Sequence, residues 1–211
     1  MNTERMKLKM TEVRDPVQAR GIRTREKIIE AGRELISTRG YQHVTADEIA
    51  HAAGVSVGSF YAYFADKRAL FFALVDDYLG SGGAVVSEGM KAFSTSGNGD
   101  LPALIAHSIR LLLAAHRQSP HLMRELLKMA LADEEVKSRL SAIDAGVKSL
   151  LAEALISRGI DRQRAAAISF MVYHASEGVI HTLTFGEGEV DEEAVLSEMT
   201  QLFAAYIKDI S

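Results

Sequence analysis

One stretch of the chain limits its fold more than any other part. Residues 45–70 read TADEIAHAAGVSVGSFYAYFADKRAL. Thr45 and Glu48 have the spacing of a capping box at the start of a helix. Gly54 suits a turn that needs positive φ, and Ser56 suits the N-cap of the next helix. The pattern predicts a helix-turn-helix followed closely by a further helix.

The rest of the chain also reads as helices separated by short loops. Side chains that can cap a helix are predicted to mark the starts of the later helices, namely Asp66, Asp100, Ser119 before Pro120, Asp133, Asp161 and Asp191. Apolar residues recur at helical spacing, and no segment shows the alternation expected of a strand. Glycines in residues 80–83 weaken the fourth helix, where we expect a break or kink. The sequence therefore predicts an all-α fold of about nine helices, over residues 21–39, 46–53, 57–63, 67–93, 101–118, 120–132, 133–158, 162–185 and 192–208.

Composition narrows the class of protein. No apolar run approaches the ~18 residues of a membrane-spanning helix, and the first ten residues lack the apolar segment of a signal peptide. The chain contains no Cys, which excludes disulfides and thiolate metal sites. Residues 1–68 carry 12 Lys and Arg against 9 Asp and Glu, whereas the remainder carries 12 against 19. We expect a cytoplasmic protein whose N-terminal end is the part that faces an anionic partner.

The motif around the predicted turn resembles that of the TetR family of bacterial transcriptional regulators. The close match covers about residues 23–75, and farther along only the number and lengths of the helices are similar. The resemblance rests on one gapless set of residues at fixed spacing, namely Ile49, Ala50, Ala53, Gly54, Val55, Ser56, Gly58, Tyr61, Phe64, Lys67 and Leu70.

The resemblance implies three parts: a flexible basic arm (1–20), a helix-turn-helix DNA-binding domain (21–66) and a ligand-binding and dimerisation domain (67–211). It implies phosphate contacts from Thr45, Tyr61, Tyr63 and Lys67, and base contacts from Val57, Gly58 and Ser59. Ser56 begins a helix whose free amides favour phosphate. The alternatives are that the tyrosines are core residues and that Lys67 is a solvated surface lysine.

The predicted recognition helix lacks the cations that most often read guanine. Residues 45–64 contain Asp47 and Glu48 but no Lys or Arg, so the bidentate arginine–guanine contact is absent. Specificity must then come from small side chains, the tyrosines and DNA shape. We expect the salt-dependent affinity to come from flanking cations, namely Arg20, Arg23, Arg25, Lys67 and Arg68.

The last two helices are apolar on more than one side, which favours a homodimer over a simple cap on one protomer. In the family that the chain resembles, these helices form a four-helix bundle with their copies. The predicted dimer residues are Ile168, Val172, Ala175, Gly178, Val179, Leu183, Val195, Met199, Leu202, Phe203 and Tyr206.

The middle helices are expected to enclose a cavity for a small molecule. Methionine gives an adaptable apolar wall, and isolated polar groups would orient a ligand. Plain core packing is the alternative for each residue. The candidates are Phe93, His107, Leu111, Met123, Leu127, Met129, Phe170, Tyr173, His174 and Glu177.

His174, Glu177 and His181 share one helical face and could offer three ligands to a metal. A polar seam at the cavity or at the dimer interface is the interpretation we favour, so we predict no metal and no cofactor. No nucleotide-binding loop, serine elbow or HExxH motif is present, and we do not expect an enzyme.

These features together predict a ligand-responsive regulator with two partners besides its own copy: a palindromic operator in double-stranded DNA and a small, largely apolar effector. We expect a repressor that the effector releases from DNA, with the glycines at 80–89 acting as a hinge. An enzyme is the main competitor from another class, and the other alternative is a helical adaptor that retains the fold without binding DNA.

Overall fold

The computed structural model describes residues 19–96, 100–186 and 190–208. Within these ranges the chain forms nine α-helices and one 3-10 turn, and no β-strand. The helices are α1 (Ala19–Arg39), α2 (Ala46–Ala52), α3 (Val57–Tyr63), α4 (Lys67–Ser96), α5 (Leu101–His116), α6 (Pro120–Ala130), α7 (Glu134–Ile156), α8 (Arg162–Phe185) and α9 (Glu192–Lys208). The all-α prediction is confirmed. The 3-10 turn Tyr41–His43 was not predicted, and the arm over residues 1–18 lies outside the described residues.

The helix starts follow from local hydrogen bonds. Side-chain oxygens of Asp100, Asp133, Asp161 and Asp191 accept from backbone N–H groups of the first turns that follow them. These acceptors satisfy donors that a helix leaves without an internal partner. Ser119 was predicted to cap α6 but makes no side-chain cap hydrogen bond, so Pro120 at the first turn is the local signal that remains.

The chain divides into two compact units, and the division falls between Asp76 and Asp77, within α4. The prediction placed it ten residues earlier, at 66/67. The first two turns of α4 supply buried side chains to the first unit: Phe71 packs against Tyr41 with ring centroids 4.9 Å apart, and Leu70 contacts Gly32. These contacts hold the start of α4 to α1 and the 3-10 turn.

Helix α4 runs without interruption through its glycines. The predicted break near residues 80–83 is therefore absent. Each glycine costs ~1 kcal/mol against alanine, and the packing of buried side chains on either side, such as Leu79 and Val86, outweighs this cost. By length and composition alone, α4 could cross a membrane. Its apolar residues include Leu74, Val86 and Met90, which are buried in the protein, as in the core helix of a soluble protein.

The second unit has one main apolar core. Helix α8 packs against α5, α6, α7 and α9, and α5 also packs along α9. Buried residues from α5, α7, α8, α9 and the second half of α4 form a single cluster, including Leu104, Ile109, Leu155, Ile168 and Ile207. The cavity described below opens within this arrangement of helices.

Candidate DNA-binding surface and effector cavity

The start of α2 is fixed by the predicted capping box. The Thr45 hydroxyl accepts from the Glu48 amide, and Glu48 Oε2 accepts from the Thr45 amide at 2.8 Å. Arg39 donates to Glu48 Oε1 at 2.8 Å and thereby links α1 to α2. The hydrogen bonds from Arg39 and Thr45 lower the pKa of Glu48 to about 2.

The turn between α2 and α3 has the geometry that its sequence predicts. Gly54 has φ of 66°, a conformation that residues with a Cβ rarely adopt. Ser56 Oγ accepts from the Ser59 amide at 3.1 Å and caps α3. Phe60 and Phe64 are buried, and they fix which face of α3 remains outside.

The outward face of α3 carries Val57, Gly58 and Tyr61, all of which are exposed. Tyr61 is 42% exposed, so it is not a core residue, whereas Tyr63 is half-buried. A Cβ at Gly58 would meet only Ser56 Oγ, at 3.9 Å. Neither packing nor φ therefore requires glycine at this position, and the space above it is open.

Lys67 is bound inside the first unit and is not a freely solvated lysine. Its ammonium donates to the backbone oxygens of Tyr41 and Val44, each at 2.7 Å, and lies 4.1 Å from the centroid of the Tyr41 ring. Burial lowers its pKa, and Glu48 opposes that shift. An ammonium has three hydrogens, so one remains for a contact outside the chain.

The three arginines predicted to flank the surface differ in their surroundings. Arg20 and Arg23 are exposed near the start of α1. Arg25 is half-buried, with its guanidinium 5.3 Å from the centroid of the Phe64 ring. Arg25 therefore also supports the packing of α1 on the end of α3.

A cavity of about 100 Å³ lies in the second unit. This volume holds several water molecules or a small organic group. Its wall is mainly apolar, and the residues that line it are Tyr78, Leu79, Gly82, Gly83, Val86, Leu112, Ala115, His116, Met123, Leu127, Leu140, Ile143, Asp144, Val147, Tyr173 and Glu177.

Four of the ten predicted ligand residues line this cavity: Met123, Leu127, Tyr173 and Glu177. The prediction missed the side of α4 that faces it, although the spacing of Tyr78, Gly82 and Val86 is that of one helical face. It also missed His116 and Asp144, for which the sequence offers no local signal.

The other six predicted ligand residues lie outside the cavity. Phe93 stacks on His107 with centroids 4.9 Å apart, and His107 Nε2 lies 3.1 Å from the Gly89 carbonyl oxygen. Beside these rings, the side chain of Leu111 fills the space that a Cβ at Gly89 would need. Met129 is half-buried, and Phe170 and His174 are exposed.

The polar side chains of the cavity wall include two carboxylates and two phenol groups. Tyr173 donates to Asp144 Oδ1 at 2.6 Å. Burial, and after it the charge of Glu177, raises the pKa of Tyr173 and of Tyr78, so both phenols stay protonated at neutral pH. No Lys or Arg is among the residues that line this cavity.

The predicted trio on α8 is not one cluster in the structure. His174 is exposed, and its Nε2 lies 3.3 Å from Lys148 Nζ. Glu177 and His181 instead lie beside His116 of α5. His174 lies apart from the other two because it faces Lys148 of α7. Periodicity along α8 alone does not show which neighbouring helix each side chain faces.

The predicted dimer residues fall into three groups by exposure. The exposed members are Ala175, Gly178, Leu202 and Tyr206, and the half-buried members are Val179, Leu183 and Val195. The remaining four belong to the core of the protomer and offer little surface to a partner: Ile168, Val172, Met199 and Phe203. Sequence patterning cannot separate an inward apolar face from a partner-facing one, since both have helical spacing.

Comparison with known proteins identifies both units. Residues 28–74 match the family model described as bacterial regulatory proteins, tetR family, and residues 100–207 match the model described as Tetracyclin repressor-like, C-terminal domain. The second match alone covers more than half of the chain.

Individual relatives agree with the family models. The Fatty acid metabolism regulator protein of Bacillus subtilis (strain 168) is 24% identical over 86% of this chain and 94% of its own. The uncharacterized HTH-type transcriptional regulator YdgC of the same organism is 32% identical over 62 residues, and this match covers 29% of this chain and 32% of YdgC.

Solved structures show the same fold. The crystal structure of a transcriptional regulator from Rhodococcus sp. Rha1 superposes with a TM-score of 0.68 at 19% identity, over 87% of this chain and 95% of the other. The helix-turn-helix, the match to the C-terminal domain model and the fold agree: the chain belongs to the TetR family and is a DNA-binding transcriptional regulator rather than an enzyme.

Proposed function

We propose that this protein is a homodimeric, cytoplasmic repressor that binds a palindromic operator and is released from it by a small, largely apolar effector. The observation that carries the DNA contact is the outward face of α3. Val57 and Tyr61 are exposed there although both are largely apolar, and Gly58 is open although no packing requires it. Such a face suits the major groove, where close backbone approach and thymine methyl groups favour small apolar contacts.

Contacts to the DNA backbone would come from around α3. The hydroxyls of Tyr61 and Tyr63 and the first turn of α3 behind Ser56 are placed to bind phosphate. The hydroxyl of Thr45 already takes part in the capping box. Thr45 would therefore aid phosphate binding mainly by fixing the start of α2. The hydroxyl oxygens of Ser59 and Ser56 are hydrogen-bonded at 2.8 Å. The Ser59 hydroxyl can still accept a hydrogen bond from a base edge.

The flanking cations would set total affinity. Arg20 and Arg23 are exposed, and Lys67 has one ammonium hydrogen left after its two intramolecular bonds. Each phosphate that a cation neutralises releases counterions and steepens the salt dependence of binding. Because α3 has no cation, we expect that dependence to be carried by these flanking residues.

A second copy of the chain would cover the exposed apolar side chains of α8 and α9. Leu202 is 66% exposed and Tyr206 47%, and Ala175 and Gly178 allow helices to approach closely. Two recognition helices are needed because one reads too few bases, and half-sites repeat at about one helical turn or more.

The effector would occupy the cavity beside Tyr173 and Glu177. Asp144, Glu177 and His116 line it and no Lys or Arg does, so while no cation is bound there an uncharged or cationic molecule fits the wall better than an anion. The relative from Bacillus subtilis is named for fatty acid metabolism, but the two carboxylates of the metal-free wall disfavour a free fatty acid anion as the effector here.

Release from DNA would be transmitted along α4. Lys67 lies in its first turn, and Tyr78, Gly82 and Val86 farther along the same unbroken helix line the cavity. A molecule that binds better when α4 has shifted lowers operator affinity by that difference, and about 3 kcal/mol corresponds to roughly 150-fold. Because α4 has no break, the glycines would act by letting the helix bend where it forms the cavity wall.

Selection of bound sequences from a random DNA pool tests the DNA-binding proposal. We expect a palindrome with half-sites about one turn or more apart, and loss of its enrichment with Tyr61→Ala. Leu131→Ala, which shortens an exposed apolar side chain just beyond α6, serves as the control and should select the same sequence. Failure of the wild-type protein to enrich any sequence would instead favour the adaptor.

Release is tested with compounds that raise the melting temperature of the protein. Those that bind the cavity should lower operator affinity, and Leu127→Trp, which fills the cavity wall, should abolish both effects. Leu131→Trp alters an exposed side chain just beyond α6 and should leave both unchanged. Equal responses of the two variants would contradict the assignment of the cavity.

A further inference from the structure

We propose that His116, Glu177 and His181 form a binding site for a divalent transition metal ion of the zinc type. Helix α5 contributes His116, and α8 contributes the other two residues one turn apart. The site lies at the edge of the cavity, which His116 and Glu177 also line. This inference does not depend on the proposed function.

The distances suit a metal. His116 Nε2 lies 3.3 Å from Glu177 Oε1, and His181 Nε2 lies 3.3 Å from Glu177 Oε2. One ligand atom from each of the three side chains falls within 4.8 Å of the other two. Ligands about 2.1 Å from a tetrahedral zinc ion are about 3.4 Å apart. The two pairs at 3.3 Å already have this spacing, and the side chains must close the widest separation, which is at most 4.8 Å.

The same atoms make no hydrogen bond of good geometry. His116 Nε2, Glu177 Oε1 and His181 Nε2 are buried without a hydrogen-bond partner, although the two pairs of atoms are close. His116 itself is only 6% exposed. Burial opposes a charge on His116, but the nearby Glu177 carboxylate raises the pKa of that imidazole, so the group favours a positive charge between the two side chains. Three buried polar atoms without a hydrogen bond around one point can be satisfied together by a single cation.

The tautomer of His116 favours a metal. Its Nδ1 lies 2.9 Å from the Leu112 carbonyl oxygen, which can only accept, so Nδ1 must carry the proton. In the neutral ring, Nε2 then directs a lone pair toward the Glu177 carboxylate, and the two repel unless a cation lies between them. A histidine that binds a metal through one ring nitrogen usually donates its other ring N–H to a carboxylate, a backbone carbonyl or water, and Leu112 provides such a carbonyl for His116.

The ligand set defines the ion. Two imidazoles and one carboxylate suit zinc, nickel, cobalt or copper, whereas magnesium and calcium take oxygen ligands. Three protein ligands leave one position open to water or to a group that enters from the cavity. Asp144, which lines the same cavity and accepts from Tyr173, adds negative charge nearby.

Metal titration of the untagged, chelator-treated full chain tests the site. We expect one Zn²⁺ per chain by calorimetry, and tetrahedral absorption bands when Co²⁺ is used instead. His116→Ala and His181→Ala each remove a ligand and should weaken binding by more than the roughly 10–100-fold that is lost when only a hydrogen-bond partner of a ligand is removed. His181→Ala alters a side chain that is only partly buried, so it decides the outcome if His116→Ala does not fold.

His174→Ala is the matched control, since it removes an exposed histidine from the same helix and should leave both metals bound. The proposal is overturned if the wild-type chain binds neither metal stoichiometrically, as expected if a proton on His116 supplies the only positive charge. It is also overturned if His174→Ala weakens binding as much as His181→Ala. Metal binding by a chain that enriches no DNA sequence would support this site and contradict the proposed function.

Discussion

The ammonium nitrogen of Lys67 lies 2.7 Å from the carbonyl oxygen of Val44, twenty-three residues earlier in the chain. The same nitrogen binds the Tyr41 carbonyl oxygen, so one side chain closes the segment between α1 and α2 onto the start of α4. Lys67 therefore has a structural task in the protein without DNA, in addition to any contact with phosphate.

Substitution of Lys67 should lower stability in the absence of DNA. Lys67→Met leaves two backbone oxygens without their donor, and we expect the free energy of unfolding to fall by about 1–3 kcal/mol. Urea denaturation measures this change. Lys27→Met, at an exposed position of α1, should have little effect; equal stability of both variants would mean that the bonds of Lys67 contribute nothing.

Gly58→Ala should separate folding from DNA binding. The added methyl meets only Ser56 Oγ at 3.9 Å, and alanine is the better helix former by up to ~1 kcal/mol. We expect unchanged or higher stability, with operator affinity reduced at least tenfold, which corresponds to about 1.4 kcal/mol.

Gly80→Ala is the control for this substitution. It lies within α4, is exposed and has nothing within 4 Å of the added Cβ. It should be stabilising in the same way but leave operator affinity unchanged. If Gly58→Ala bound the operator as tightly as Gly80→Ala, α3 would not approach DNA at Gly58.

The capping box predicts a pH dependence. Arg39 and Thr45 lower the pKa of Glu48 from 4.5 to about 2. A lowered native pKa means that the stabilisation is complete above pH 4.5 and is lost as the pH falls toward 2. Glu48→Gln cannot titrate, so its stability deficit should be largest near neutral pH and shrink below pH 4.5.

Urea denaturation of both proteins across this range gives the comparison. Glu26→Gln, at an exposed position of α1, controls for the general effect of acid on the protein. A deficit for Glu48→Gln that stayed constant with pH would show that the carboxylate charge is not what the hydrogen bonds stabilise.

Leu202→Glu should convert the proposed dimer to monomers. The side chain is 66% exposed on α9, so a charge there costs the isolated protomer little but would be buried in the interface. Sedimentation equilibrium should show the shift in mass. Leu131→Glu alters a leucine that is 91% exposed outside α8 and α9 and should leave the mass unchanged; identical behaviour of the two variants would move the interface elsewhere.

The sequence predicted those features that depend on neighbouring residues. The capping box of Thr45, the turn at Gly54 and the cap at Ser56 all form between residues at most a few positions apart, so composition and spacing suffice. The same holds for the aspartate caps. Ser119 is the exception, because Pro120 can begin a helix without a side-chain cap.

Features that join distant segments could not be predicted. His116 and Glu177 meet only because α5 and α8 pack in one particular rotation. Helical periodicity predicts which face of a helix is buried but not which other helix packs against that face. The bonds of Lys67 depend on a 3-10 turn that has no strong sequence signal. In the same way, the exposure of Leu202 and the burial of Phe203 depend on how α9 packs against its neighbours, which the apolar pattern of α9 does not determine.

The lack of Lys and Arg in residues 45–64 has a consequence for how the proposed surface finds its target. A regulator searches the chromosome by sliding and hopping, and its residence on random DNA is governed by cations and by salt. Here those cations lie outside the helix that would read bases. Salt should therefore change how long the protein stays on any DNA, while its preference for the operator over random sequence changes little. Residence on random DNA and recognition of the operator would then depend on different residues. A substitution could therefore change one of these properties without changing the other.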